Sequence, residues 1–194
     1  MHSVNPHFFA RSHRRLRLWA CVLFALHAAA SASYSQSSDA PIAYQVKIGF
    51  LFNFLRFTEW PDAAHSSRGA FRIAIASDEP TFAMIVNALS GKVADNRTIV
   101  VERADPASSG PPPHLLFITD SAPPAARILP RQYSTAPVLT IGERDGFARN
   151  GGILNFVLVD EAVRFEVNLA AAQRAGVRIS SRVSKMAILV RPDL

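Results

Sequence analysis

Few residues in this sequence have the types and spacing that catalysis or metal binding needs. The 194 residues contain no G-x-S-x-G nucleophile motif, no H-E-x-x-H zinc motif and no glycine-rich phosphate-binding loop. Two pairs of adjacent carboxylates, Asp78-Glu79 and Asp160-Glu161, stand at predicted element boundaries, where helix capping and turn formation are the simpler roles. The residues therefore offer no catalytic motif, and we expect neither a cofactor nor a metal.

The first predicted helix, residues 41–60, has more apolar surface than a helix on the outside of one domain needs. At about 100° per residue, one apolar face can pack on a sheet, and it contains Ala43, Phe50, Leu51 and Phe54. A second apolar strip lies beside polar residues, and we predict that it binds a partner protein. With the adjacent arginine, this predicted surface consists of Ile48, Phe52, Leu55 and Arg56. Burial within the monomer is the alternative, and the sequence leaves both open.

A predicted hairpin near the C-terminus also has two different faces. With Asp160-Glu161 as its turn, Asn155 lies opposite Glu166 and Val157 lies opposite Arg164. The apolar side is predicted to be core and contains Leu154, Phe156, Leu158, Val163, Phe165 and Val167. The mixed side is either exposed to solvent or part of a polar cleft for a small ligand. The residues of that cleft would be Lys47, Asn155, Arg164, Glu166 and Asn168.

Lys47 needs a separate explanation because it falls in the middle of the first apolar helix face. Burying an ammonium group without a partner costs roughly several kcal/mol of folding free energy, because the ion loses its hydration. We therefore expect Lys47 to pair with a carboxylate, with Glu166 as the first candidate, or to extend its amine to the edge of the face.

The N-terminal segment, residues 1–32, has the three parts of a cleaved secretory signal peptide. It contains four arginines and no acidic residue, then an apolar run over residues 18–30, then the small residues of Ala30-Ser31-Ala32. Removing it leaves 17 basic and 15 acidic residues, a net charge of +2, so the initial charge of +6 does not indicate a nucleic-acid partner. The single cysteine, Cys21, is also removed, so no disulfide can form within the mature chain.

The pattern after the signal peptide predicts one layered α/β domain. Residues 33–40 read as a disordered leader, and residues 41–194 read as the folded domain. Short apolar strands alternate with helices, which is typical of a sheet covered on both faces. Because the last two long strands form an antiparallel hairpin, we expect a mixed β-sheet flanked by helices, ending in that hairpin and a C-terminal helix.

Several ordered blocks of the sequence resemble the YfiR-like family of periplasmic proteins. The blocks are Val46–Phe54 (VKIGFLFNF), Phe57-x-x-Trp60-Pro61, Gly146–Phe156 (GFARNGGILNF), Val163–Asn168 (VRFEVN) and Ile179–Arg182 (ISSR). The resemblance covers about residues 42–191. It implies a small α/β domain in the periplasm that is not an enzyme and that also forms dimers.

The resemblance further implies a regulator that binds and represses a membrane-bound sensor, a diguanylate cyclase, and so acts in cyclic-di-GMP signalling. The sensor's periplasmic domain would be the partner. One departure is that the family's namesake carries disulfide cysteines, whereas this mature chain has none, so redox control is not expected. A periplasmic small-molecule-binding module is the alternative function. An exported hydrolase is a third class, with no nucleophile to support it.

The signal-peptide interpretation predicts that the exported protein begins near Ser33, because Ala30 and Ala32 occupy the −3 and −1 positions of a signal-peptidase site. N-terminal sequencing of the protein recovered from the periplasm checks this expectation. Recovery of a chain that still begins at Met1 would contradict it.

Overall fold

The computed structural model describes residues 39–61 and 69–191, so the predicted signal peptide and most of the leader lie outside the described residues. The architecture below is that of the described residues from 43 to 191. The helices are α1 Asp39–Arg56, α2 Glu79–Leu89, α3 Leu129–Gln132, α4 Leu169–Ala175 and α5 Ser181–Met186, with a 3-10 helix at Pro124–Ile128. The strands are β1 Thr58–Glu59, β2 Phe71–Ala76, β3 Val93–Ala94, β4 Arg97–Arg103, β5 Leu115–Ile118, β6 Leu139–Gly142, β7 Leu154–Val159, β8 Ala162–Val167, β9 Arg178–Ile179 and β10 Ile188–Leu189.

Eight strands form one mixed sheet in the order β10-β8-β7-β6-β5-β2-β4-β3. The central strands from β4 to β7 are parallel, whereas β7 and β8 are antiparallel and β3 is antiparallel to β4. The chain leaves β2 toward β4 and then crosses back to β5 on the other side of β2. The predicted fold class, a mixed sheet flanked by helices with a late antiparallel hairpin, is confirmed.

Both faces of the sheet are covered, as the short apolar strands predict. The larger core cluster contains residues from α1, α2, α4 and α5 together with Ile73, Ile75 and Phe117. The opposite face carries the smaller cluster, in which Leu116 and Ile118 pack with Leu129 of α3. All four residues of β5 are buried because this strand contributes side chains to both clusters.

Phenylalanines dock α1 on the larger core. The Phe54 ring lies 5.1 Å from that of Phe165 and 6.1 Å from that of Phe156, centroid to centroid. Phe50, one turn earlier, lies 5.2 Å from Phe165, and Phe117 of β5 completes the group at 5.7 Å from Phe156. Offset and edge-to-face aromatic pairs are each worth about 0.5–1.5 kcal/mol beyond the burial of their area. The sheet thereby fixes which side of α1 faces inward.

The hairpin has the predicted register, with Asn155 opposite Glu166 and Val157 opposite Arg164. Asp160 and Glu161 form the turn with φ angles of 49° and 61°, values that suit the two-residue turns of tight hairpins. The predicted apolar core face is wrong at its tip, where Leu158 is 70% exposed. Val159 and Ala162 beside the turn are also exposed, so the core ends before the tip of the hairpin.

Strand pairing sets the ends of two predicted helices. The helix predicted over residues 41–60 ends at Arg56 because Thr58 and Glu59 pair with β9 instead. The predicted C-terminal helix ends at Met186 and is followed by β10, which pairs with β8. In both cases pairing with a distant segment overrides the local helical pattern.

The ring of Phe147 lies against the backbone of two glycines. A Cβ atom added at Gly142, the last residue of β6, or at Gly152 would overlap this ring. Only glycine lets the ring approach the backbone this closely. The contact fixes the 146–152 loop on the face of the sheet opposite α1 and explains the two glycines on structural grounds.

We expect Gly152→Ala to destabilise the protein by about 1–3 kcal/mol, because the added methyl overpacks the Phe147 contact. Gly49→Ala is the matched control, since no atom lies within 4 Å of its added Cβ and the position is inside α1. That control is expected to gain about 0.5–1 kcal/mol from better helix propensity. Urea unfolding of both variants provides the measurement, and equal stability of the two would contradict the steric explanation.

Candidate functional site

Two segments distant in sequence meet at the end of α1. Thr58 pairs with Ile179 and Glu59 pairs with Arg178 in the two-stranded β1–β9 ladder. The backbone N–H of Ser180 also donates to the carbonyl of Phe57, at 3.0 Å. The structure therefore brings together two of the sequence blocks on which the family resemblance rests, Phe57-x-x-Trp60-Pro61 and Ile179–Arg182.

Phe57 lies near two arginines at this junction. The guanidinium carbons of Arg56 and Arg182 are each 5.7 Å from the centre of the half-buried Phe57 ring, within cation–π range. Both arginines are exposed. Phe52 is half-buried and sits one helical turn before Arg56, on the same side of α1. We call the group of Phe52, Arg56, Phe57 and Arg182 the Phe57 surface.

The predicted partner-binding strip divides between core and surface. Ile48 is 8% exposed and Leu55 is 1% exposed, and both belong to the larger core cluster. The expectation that they lie on an open strip is therefore wrong, because the interior covers a second side of α1. Phe52 and Arg56 remain accessible in the Phe57 surface, and their binding role stays a prediction.

Lys47 is paired, but with a different carboxylate from the expected one. Its Nζ lies 2.7 Å from Oε1 of Glu143, directly after β6, and the two side chains are 16% and 3% exposed. The expected partner Glu166 instead accepts a hydrogen bond from Asn155 and lies 3.9 Å from Arg149. Glu166 is not available to Lys47 because it lies on the other face of the sheet: its neighbours Phe165 and Val167 face the core on which α1 packs.

The Glu143 carboxylate joins three elements. Besides Lys47, its Oε2 accepts from the Tyr44 hydroxyl and from the backbone N–H of Asp120, each at 3.0 Å. Tyr44 and Lys47 belong to α1, and Asp120 follows β5. Burial, followed by the Glu143 charge, raises the pKa of Tyr44 above its usual value, so the hydroxyl remains a donor over the ordinary pH range. Glu143 thus holds α1 against the ends of β5 and β6.

The residues of the predicted polar cleft do not form one group. Asn155 Nδ2 donates to Glu166 at 3.2 Å, so these two lie together as the hairpin register requires. Asn168 is fully buried, donates to the carbonyl of Ala148 and caps α4. Arg164 is exposed, and Lys47 is committed to Glu143. The cleft as a ligand site stays a prediction, and its members have separate structural tasks.

The rings of Trp60, His114 and Phe71 pack together at the amino end of β5. The indole N–H of Trp60 donates to the carbonyl of His114 at 3.1 Å. The Phe71 ring lies 5.7 Å from Trp60 and 5.2 Å from His114. The backbone N–H of Arg72 donates to Nδ1 of this buried histidine. These contacts give Trp60 a structural role, which is to pack against the amino end of β5.

Across residues 39–61 and 69–191 no group of three His, Cys, Asp or Glu side chains could hold a metal ion. None of the helices in these ranges has the length and apolar character needed to span a bilayer. The two carboxylate pairs have the simple roles expected of them. Asp78 caps α2 by accepting from the Thr81 N–H, which lowers the pKa of its carboxyl, and Asp160-Glu161 forms the hairpin turn.

A sequence model of the YfiR/HmsC-like family matches residues 44–188, which is most of the chain. The chain belongs to the YfiR/HmsC-like family. No curated protein sequence matches it significantly. Membership implies a regulatory, non-catalytic protein of the periplasm that acts in cyclic-di-GMP signalling.

The sequence analysis did not identify three residues that hold α1 or form the Phe57 surface in this YfiR/HmsC-like chain. Glu143 had no signal except its position directly after an apolar strand. Phe57 and Arg182 stood within the quoted sequence blocks, but their proximity depends on the β1–β9 pairing between residues more than a hundred positions apart. A two-residue ladder leaves almost no alternation in the sequence by which it could be recognised.

The Lys47–Glu143 pair can be measured by a double-mutant cycle in this YfiR/HmsC-like protein. We expect Lys47→Met and Glu143→Gln each to lower the free energy of unfolding, because each leaves the remaining charged side chain without an opposite charge beside it. Their coupling energy should be about 1–3 kcal/mol. The cycle of Lys47→Met with Glu166→Gln is the control and should be additive. Coupling to Glu166 but not to Glu143 would contradict the observed pairing.

Proposed function

We propose that the protein binds the periplasmic domain of an inner-membrane sensor, a diguanylate cyclase, and represses cyclic-di-GMP synthesis by that sensor. The observation that carries this proposal is the Phe57 surface, where two blocks of family-like sequence converge on an exposed arginine–aromatic group. Family membership supplies the regulatory role and the compartment. The surface supplies the place where a partner would be held.

The composition of the Phe57 surface suits protein recognition. Arginine and aromatic residues are enriched among the few interface positions that supply most of the binding free energy. A half-buried ring such as Phe57 needs little ordering when a partner arrives, because the adjacent β1–β9 ladder already holds its backbone. The two flanking guanidinium groups add donors that can form paired hydrogen bonds with a carboxylate.

The charges on this surface favour an acidic partner. Arg182 has no carboxylate partner within the described part of the chain, and Arg56 lies 3.6 Å from Asp95 in a pair that is about half exposed on both sides. Exposed pairs of this kind are worth about 0–1 kcal/mol, so a partner carboxylate can replace Asp95 at small cost. We therefore propose that the sensor presents acidic residues to Arg56 and Arg182.

A second copy of the chain is the other occupant to consider, because the family resemblance implies dimerisation. Positively charged surfaces repel their own copies when they meet face to face, so the Phe57 surface is better suited to an acidic partner than to itself. We propose that any dimer uses another surface, which leaves the Phe57 surface available for the sensor.

The partner is identified by retaining the exported protein on a support, passing solubilised inner membrane over it and analysing the retained proteins by mass spectrometry. We expect a membrane diguanylate cyclase. Its periplasmic domain, once produced, should bind Arg56→Glu and Arg182→Glu variants about 30-fold or more weakly than wild type, the equivalent of about 2 kcal/mol for a central interface residue.

Arg131→Glu is the matched control, since Arg131 is also exposed but belongs to α3 on the opposite face of the sheet. All three variants are expected to unfold at the wild-type temperature, because exposed positions contribute within about 0.5 kcal/mol. Wild-type affinity in both test variants would refute the Phe57 surface. Retention of a transport component instead of a sensor would favour the small-molecule-binding alternative.

A further inference from the structure

A pocket of about 210 Å³ lies at the carboxyl ends of β5 and β6. It opens between the loop after β5 and the loop that carries Phe147. In open α/β sheets, ligands commonly bind in the crevice outside the carboxyl ends of parallel strands. This pocket is on the face of the sheet opposite α1, since Ile118 belongs to the smaller core cluster. It is therefore separate from the Phe57 surface.

The floor of the pocket is apolar and held in place. Ile118, Ala122 and Phe147 line it, and the contacts of Phe147 with Gly142 and Gly152 fix its ring. A fixed ring and a strand residue form a preformed surface, which lowers the entropic cost of binding. An apolar cavity of about 150 Å³ is known to accept benzene, so a cavity of this size accommodates one six-membered ring with a short substituent.

Two arginines make the rim of the pocket positively charged. Arg127 lies on the 3-10 helix and has no carboxylate partner in the described segments. Arg144 follows Glu143 and makes two long contacts with Asp120: its Nε lies 3.9 Å from Oδ1, and an Nη donates to the backbone carbonyl at 3.5 Å. Asp145 is the acidic residue among those lining the pocket, so the rim carries two guanidinium groups against one carboxylate. Guanidinium groups bind carboxylates through paired, charge-assisted hydrogen bonds.

We propose that this pocket binds a small organic carboxylate with a single apolar ring. The ring lies on Phe147 and Ile118, and the carboxylate is held by Arg127 and Arg144. The apolar floor selects against small inorganic anions, which have no apolar surface to bury. The charged rim selects against neutral ring compounds, which leave both guanidinium groups without a new partner. This proposal stands independently of the sensor-binding function.

The test uses the protein purified from the periplasm and two probes, benzoate and phenylacetate, followed by saturation-transfer NMR and calorimetric titration. We expect saturable binding at one site. Arg127→Gln and Arg144→Gln should each weaken it by about tenfold, the order expected for one charge-assisted hydrogen bond. Arg131→Gln, an exposed arginine of the next helix that does not line the pocket, should bind as wild type does.

Filling the pocket provides a second, charge-independent variant. Ala122→Leu should abolish binding, and its circular dichroism and unfolding temperature show whether it is folded. Acetate, which lacks the ring, and benzyl alcohol, which lacks the charge, should bind at least about tenfold more weakly than benzoate. No saturable binding of either ring carboxylate up to about 10 mM, an affinity below roughly 3 kcal/mol, overturns the proposal. So does wild-type affinity in the Arg127→Gln/Arg144→Gln double variant.

Discussion

The position of α1 depends on the packing of its phenylalanines against the β7–β8 hairpin. Phe50 and Phe54 meet Phe156 and Phe165 at centroid distances of 5.1–6.1 Å, and this contact determines the rotation of the helix about its axis. The rotation places Lys47 at Glu143, and it directs the end of the helix toward β9. If those rings were lost, the ion pair and the β1–β9 ladder would both lose their geometry.

These contacts explain how α1 is held in place although residues 33–194 contain no cysteine. α1 is fastened in three ways along its length, by the Glu143 hydrogen bonds, by the aromatic contacts and by the strand pairing that follows Arg56. Each uses a different interaction, so a change of pH or salt that weakens the Lys47–Glu143 pair leaves the aromatic contacts and the strand pairing in place. The Phe57 surface and the carboxyl-end pocket lie on opposite sides of this framework, and each is built on a rigid element.

The sequence predicted best what depends on local pattern. The β7–β8 register follows from alternating side chains and a two-residue turn, and the start of α2 follows from Asp78 and the proline after Glu79. Prediction from the sequence failed where a contact or the burial of a side chain depends on segments far apart in the chain. Lys47 and Glu143 are 96 positions apart, and nothing in either neighbourhood indicates the other. Leu55 reads as surface on a helical projection, yet the larger core covers it. A helical projection identifies the apolar stripes of a helix, but it does not show how many of them the rest of the protein buries.

The outermost strands of the sheet also restrict how other chains can join it. β3 and β10 are two residues long, and each pairs with only two residues of its neighbouring strand. In the described sheet, the outer sides of β4 over residues 100–103 and of β8 over residues 162–164 therefore have no strand beside them. Open edges invite edge-to-edge aggregation and the strand-addition mode of peptide capture. Charged side chains oppose such pairing, and Glu102, Arg103 and Arg164 lie on these segments. Charge, rather than a lack of free backbone groups, thus restricts strand addition at both edges.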